Sequence, residues 1–224
     1  MKRWLAIAAG LVVLAIVVGR VMWLNSPMRE IERSKAAVTA AKSWHFHRVR
    51  HFPGLPSDTY DVDTLCPMFQ HTIASSEGSP LVHEWIGYSG RTYVYAEGRW
   101  TTSAGTQTQN DANASGTVSV IECRTGPIGA DVTSLSHDAM LAGEVRRGAE
   151  REVEGESCRD YDVTVPTPHD PGNKEYQFCI CINEADHLPR QTRHTPPNYP
   201  EADVSTYTKW NAMQESQLPP EIPK

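Results

Sequence analysis

The chain of 224 residues lacks the signatures that the commonest catalytic classes require. It holds no Gly-x-Ser-x-Gly elbow, no His-Glu-x-x-His pair and no glycine-rich phosphate loop. The usual serine hydrolase, zinc protease and nucleotide-binding constellations are therefore excluded. Basic residues are also short, with 21 Lys+Arg against 27 Asp+Glu. A chain so balanced has no broad cationic face for phosphates, which argues against a nucleic-acid partner. Cysteine is sparse, with five in all, none before Cys66 and no Cys-x-x-Cys. That excludes a lipid-modified N-terminal cysteine and thioredoxin-like exchange. The carboxylates Asp58, Asp61, Asp63, Glu175 and Asp186 are scattered as turns and exposed strand faces would scatter them. The expectation is a protein that is not an enzyme and carries no cofactor.

What is present divides into two polymers. Residues 1–24 hold 19 of the apolar residues, and the remaining 200 hold 69. The first segment carries Lys2, Arg3 and Arg20, which leaves the body 18 basic against 27 acidic residues. Trp4 to Gly19 is uncharged, and Val21–Leu24 extends the run past Arg20. As a helix, Trp4–Leu24 would reach roughly 31 Å, enough for a hydrocarbon core. Arg20 near one end can snorkel, and Trp4 and Trp23 fall where an aromatic belt belongs. A cleaved secretory signal would need small residues before the cut, and Val17-Val18-Gly19 serves poorly. The reading is an uncleaved signal anchor over 1–25. It implies a single-pass protein of the inner (cytoplasmic) membrane with an extracytoplasmic, periplasmic domain over 26–224.

In that domain Ser26-Pro27 starts a helix, with Ile31, Val38 and Ala41 at near-helical spacing through Lys42. Alternation then takes over. Trp44–Phe52 reads as a strand ended by Pro53-Gly54, and a second extended stretch covers about Thr59–Ala74. His83–Tyr88 and Arg91–Glu97 flank Ser89-Gly90 as a two-residue hairpin. Residues 101–117 are polar enough to predict a mobile loop with a sequon at Asn113. A short second helix is predicted around Ser136–Val145, then extended runs over Arg151–Val165, Glu175–Asn183 and Ala202–Trp210. The class is α+β: a mainly antiparallel sheet, one long N-terminal helix and one short helix.

Several of these segments, in order, resemble the lipoprotein-carrier superfamily with the LolA/LolB-like fold. They are the glycine-bearing strand Val153–Val163, the strand-and-turn Cys179–Arg190 ending in Leu-Pro-Arg, and Tyr207–Asn211 followed by Leu218-Pro219-Pro220. The hairpin Trp85–Tyr95 is similar to that family's middle strands. The chain departs from a soluble carrier in keeping an anchor and five cysteines. The resemblance implies a strongly curved antiparallel sheet, a half-barrel, whose concave face is closed by helices around a cavity for acyl chains or another apolar ligand. It brings no catalytic residues.

Pairing Val165 with Glu175 across the loop at 167–173 sets Cys158 opposite position 182. With one residue of slip, a Cys158–Cys181 disulfide is expected, and Cys66–Cys123 as a second. Cys179 is left over. A soft-metal or redox site at Cys179 and Cys181 would need a further nearby cysteine pair. His45, His47 and His51 share one strand face and could bind a metal with His71 or His83. Arg48 and Arg50 beside them oppose a cation, so no metal is expected. Trp85, Tyr88, Tyr93, Tyr95 and Trp100 are the candidates for cavity lining. Together these features predict non-covalent binding of a lipid or an acylated protein. The alternative is a sensor or interaction module of the same fold, tethered beside an envelope protein partner.

Overall fold

A computed structural model describes Val12, Leu14 and residues 26–66, 69–88, 91–96, 98–103, 143–166, 175–195 and 203–213. Among the described residues, helix α1 (Pro27–Ala40) is followed by eleven strands. The first six are β1 (Ser43–Phe52), β2 (Leu55–Leu65), β3 (Phe69–Ser76), β4 (Val82–Tyr88), β5 (Arg91–Ala96) and β6 (Arg99–Ser103). The last five are β7 (Glu144–Val153), β8 (Glu156–Pro166), β9 (Glu175–Ile182), β10 (Pro189–Thr195) and β11 (Asp203–Thr208). All pair antiparallel in one open, curved sheet of order β6-β5-β4-β3-β2-β1-β11-β10-β9-β8-β7. Every pairing joins strands consecutive in the chain except β1–β11, and the consecutive strands β6 and β7 form the two edges.

Helix α1 begins where its chemistry predicts. Ser26 caps it with its Oγ accepting from Arg29 N–H at 3.3 Å, and Pro27 fills the first turn. Its buried stripe is Ile31, Ser34 and Val38, spaced for one face. Ile31 enters a core of Tyr161, Val163, Ile180 and Ile182 from β8 and β9. Beyond the helix end, Ala41 joins Trp44, Phe46, Val62 and Tyr207. Fourteen residues rise about 21 Å, whereas β9 and β1 stand three strand spacings, about 14 Å, apart. The helix therefore reaches from the β7–β9 end of the sheet, where it contacts β7 and packs Ile31 on β8 and β9, back toward β1, and it roofs one face, called the helix face below.

Register assigns the remaining side chains, because directly paired antiparallel residues share a face. Ile180 pairs with Thr192, Thr192 with Ser205, and Ser205 with Arg48, all on the helix face. Phe46 pairs with Val62, Val62 with Thr72, Thr72 with Trp85 and Trp85 with Val94, which continues that face toward β5. The far face carries His45, Asp63, His71, Ile86 and Tyr93 in one row.

Several sequence-based boundaries shift. The run predicted over Arg151–Val165 is two strands, broken by a turn in which Glu154 and Gly155 both adopt positive φ (51° and 81°). Such a turn suits a two-residue hairpin, and the Glu-Gly pair was the overlooked signal. Thr59–Ala74 likewise divides into β2 and β3. Thr101–Ser103 belong to β6, so this part of the predicted loop is paired backbone. Val145 lies in β7 opposite Val163, so the end of the predicted short helix is strand. Residues 136–142, the sequon at Asn113 and the 4–24 segment apart from Val12 and Leu14 lie outside the described residues. Among the described residues no helix is long and apolar enough to cross a membrane.

Candidate functional site

The helix face concentrates the apolar surface. Over β8 and β9 it is closed by Ile31, with Tyr161, Val163, Ile180 and Ile182 all at most 2% exposed. Over β1, β2 and β11 it is aromatic. Trp210 lies between Trp44, tilted at 6.1 Å between ring centroids, and Tyr207, stacked at 5.8 Å, and Phe46 meets Tyr207 at 6.0 Å. Further along, Trp85 is half-buried and Val94 is 37% exposed. The apolar surface thus runs on beyond the strip that α1 covers.

Polar groups interrupt that face. Thr192 and Tyr207 hydroxyls lie 3.3 Å apart, and Asp203 is buried against Arg48 at 3.2 Å. Phe178 and His194 stack at 4.6 Å, and burial lowers the His194 pKa. Ser34 Oγ and Trp44 Nε1, both buried beside the helix–sheet contact, make no hydrogen bond among the described residues. Unmet donors and acceptors weaken an interface relative to one that satisfies them.

The five aromatics singled out as cavity lining do not share one wall. Trp85 stands on the helix face, paired with Val94. Tyr88, Tyr93, Tyr95 and Trp100 stand on the far face, as the pairs Ile86↔Tyr93 and Tyr95↔Trp100 require. There Tyr93 is buried with Phe69 and Ile86, Tyr88 and Trp100 pack against them, and Tyr95 is 42% exposed. The physical reason is parity. Residues 85 and 88 sit an odd number apart on one strand, so they must point to opposite sides.

The far face of β7–β10 is polar. Asp160 accepts from Arg151 Nε at 2.8 Å and from Arg193 at 3.3 Å, and Arg193 also donates to Cys179 Sγ at 3.1 Å. A cleft of about 520 Å³ opens here, bordered by Arg146, Asp162, Gln177, Cys179 and Arg193 among others. Its charged lining does not suit an acyl chain. Gly148 faces Asp160, where a Cβ would come within 3.1 Å of the Asp160 Cβ, so a side chain there would crowd this cluster.

Cysteine pairing is resolved in part. Cys158 and Cys181 form a disulfide with Cα atoms 5.4 Å apart. The actual register is Val165↔Tyr176, one residue from the expected pairing, so the bridge crosses diagonally between β8 and β9. Cys66 is disulfide-bonded, while Cys123 lies outside the described residues. Cys179 is a free thiol. Burial, then the Asp160 charge, pushes its pKa up to about 12, which keeps it protonated and unreactive at neutral pH.

The histidines pair across strands with carboxylates. His45 Nδ1 meets Asp63 Oδ1 at 2.9 Å, His47 Nδ1 meets Asp61 Oδ1 at 2.8 Å, and His71 Nε2 meets Glu84 at 2.8 Å. The bond from His45 lowers the Asp63 pKa. His51 follows the irregularity at the end of β1 and bonds Ser57 instead. Arg48 and Arg50 point to the other face, toward Asp203. Sequence adjacency had placed these arginines as opponents of a cation, and strand alternation removes them.

Comparison with family models yields no match, and no curated protein matches by sequence. Solved structures do correspond. LprF from Mycobacterium bovis superposes with a TM-score of 0.58 at 14% identity, over 87% of this chain and 96% of that one. MucB gives 0.48 at 15% identity, over 85% of this chain and 61% of that one. A LolA superfamily protein from Nitrosomonas europaea gives 0.32 at 8% identity, over 84% and 94%. At such identities the likeness is one of fold alone, and LprF carries it. An open, curved antiparallel sheet with a helix laid across it is the fold that this chain shares with LprF over most of its length.

Proposed function

We propose that this chain is a membrane-tethered, periplasmic domain that holds a lipid or the acyl chain of a lipoprotein on its helix face. It acts by shape and burial, with no covalent step. The anchor over residues 4–24 keeps it at the inner membrane, where such ligands are met. The observation that carries the reading is the unequal cover on the helix face. Helix α1 seals β8–β9, yet Trp85 and Val94 extend apolar surface past it and remain partly exposed. Burial of an acyl chain contributes about 0.8 kcal/mol per CH₂, ample for capture on such a surface. The LolA/LolB-like fold agrees with this use. Trp85 is the one of the five aromatics placed to touch the ligand. The far-face set, Tyr88, Tyr93, Tyr95 and Trp100, forms a separate packing cluster.

The test is lipid content. Full-chain protein purified without added lipid is extracted and its lipid quantified per chain, and fatty acid is titrated against a bound apolar dye. Stoichiometric lipid and displacement weakened by Trp85→Ala are expected. Absence of both lipid and displacement would sink the reading.

A second reading, an interaction module acting on an envelope protein, is favoured by one feature. Leu55, Leu81 and Val82 are 68%, 64% and 60% exposed at the same end of the sheet. Crosslinking in cells that captures one dominant protein, and loses it on Leu55→Asp with Leu81→Asp, would favour this reading over lipid carriage.

A further inference from the structure

We propose that the polar cleft on the far face of β7–β10 is a binding site for a neutral, hydroxyl-rich ligand of the saccharide class. Two rows of side chains from four strands border it. In one row Arg146 pairs with Asp162, Asp162 with Cys179 and Cys179 with Arg193. In the next, Glu144 pairs with Thr164, Thr164 with Gln177 and Gln177 with Thr195. Four strands span about 14 Å. The cleft encloses about 520 Å³, a volume suited to a small ligand. It lies on the opposite face from Trp85 and does not depend on what the helix face binds.

The chemistry of these groups selects the ligand. Each arginine already holds a carboxylate. Arg146 binds Glu144 through two nitrogens at 2.6 and 2.7 Å, and Arg193 meets Asp160 at 3.3 Å. Asp160 is balanced further by Arg151 at 2.8 Å. The two rows therefore set Arg146 and Arg193 against Glu144 and Asp162, with no excess charge to attract an anion. Among the described residues no group of His, Cys, Asp and Glu is placed to hold a metal ion. The charged lining turns away an acyl chain. A peptide backbone binds by adding to a free sheet edge, and β8, β9 and β10 are paired on both sides. What the cleft offers is donors and acceptors side by side. A hydroxyl is both, so a polyol satisfies the two kinds at once. Arg193 sharpens the assignment. Its Nη2 donates to Asp160 and to Cys179 Sγ, whereas its Nε is buried and makes no hydrogen bond among the described residues. A buried donor left without a partner beside a cavity is where a ligand oxygen gains most. Asp162, exposed and bonded by the Cys179 thiol, supplies an acceptor two strands away.

The probe is N,N′-diacetylchitobiose, which carries hydroxyls and amides and no charge. Full-chain protein in a detergent without sugar headgroups is titrated with it up to about 10 mM, a range that reaches millimolar Kd values. Binding is read from saturation transfer to the sugar protons. Saturable transfer is expected, weakened at least about tenfold by Arg193→Lys, which keeps the charge and removes the Nε donor. Gln177→Ala and Thr195→Val should each weaken it about three- to tenfold. His83→Ala, on the other face of the sheet, should change nothing. Added fatty acid should not displace the sugar, so failure of the acyl reading and failure of this one are told apart. No transfer over that range overturns the proposal. Transfer that survives Arg193→Lys and Gln177→Ala together also overturns it. Equal binding of N-acetyl-trialanine amide does the same, because the cleft then takes peptides. Far-UV circular dichroism on each variant checks that the sheet is retained, and the exposed Gln177→Ala decides the case if Arg193→Lys unfolds.

Discussion

In β8 and β9 the helix-facing residues Tyr161, Val163, Ile180 and Ile182 are at most 2% exposed, and Cys158–Cys181 ties the two strands covalently. In β4 and β5 the same face presents Trp85, half-buried, and Val94, 37% exposed. Across that region strand pairs are joined by histidine–carboxylate contacts such as His71–Glu84. One sheet thus contains a region built for stability and a region left available. A binding surface has to forgo some burial, and a small domain can do so only where another part is over-secured.

The sharpest way to break this comparison is in the core of the secured half. Ile180→Ala should cost about 4 kcal/mol by urea denaturation, whereas Val94→Ala should cost less than about 1. Equal losses would mean that the two regions are packed alike. Next comes the bridge. Replacing Cys158 and Cys181 by serine should lower stability by about 3 kcal/mol, since the disulfide closes a loop with a sequence separation of 23. An unchanged denaturation midpoint would assign the stability of β8–β9 to packing alone.

Cys179 probes protection within the same half. With its pKa pushed up to about 12 by burial, alkylation at pH 8 should run at least about a hundredfold slower than for an exposed cysteine. Mass mapping of the labelled thiol measures this, and rapid labelling would show that the β9 far face is open. The smallest effect is expected from Asp63→Asn in the other half. The bond from His45 lowers the Asp63 pKa below its ordinary value of 3.8, so the ionised folded form is favoured. Its stabilisation is present above pH 3.8 and lost as pH falls through the lower, folded value. Wild type should therefore exceed the variant at neutral pH, with the difference closing below about pH 4. A difference independent of pH would assign the effect to shape rather than charge.

Much of the architecture was legible in the chain. Ser26-Pro27 located the helix start, and Ile31 and Val38 identified its buried stripe. The hairpin at 83–97 closely matches β4 and β5, and Cys158–Cys181 followed from pairing two strands across one loop. The cavity wall was not legible, because five aromatics within sixteen residues say nothing of which side each faces until strand boundaries are known. Trp85 and Tyr88 separated for that reason alone. The histidines failed similarly. Arg48 lies next to His47 in the chain but faces away from it, whereas Asp61, fourteen positions on, meets it at 2.8 Å.

Composition, alternation and turn residues indicated by themselves a mainly antiparallel α+β class, because those signals act over a few residues. Tertiary structure decided which residues meet. β1 pairs with β11, about 160 residues on, and that closure gathers Tyr207, Trp210 and Trp44 into one cluster. The β1–β2 register sets Asp61 and Asp63 beside two histidines. Register is set by the whole sheet, and a shift of one residue exchanges its faces, so no local pattern could settle what the helix face and the far face each display.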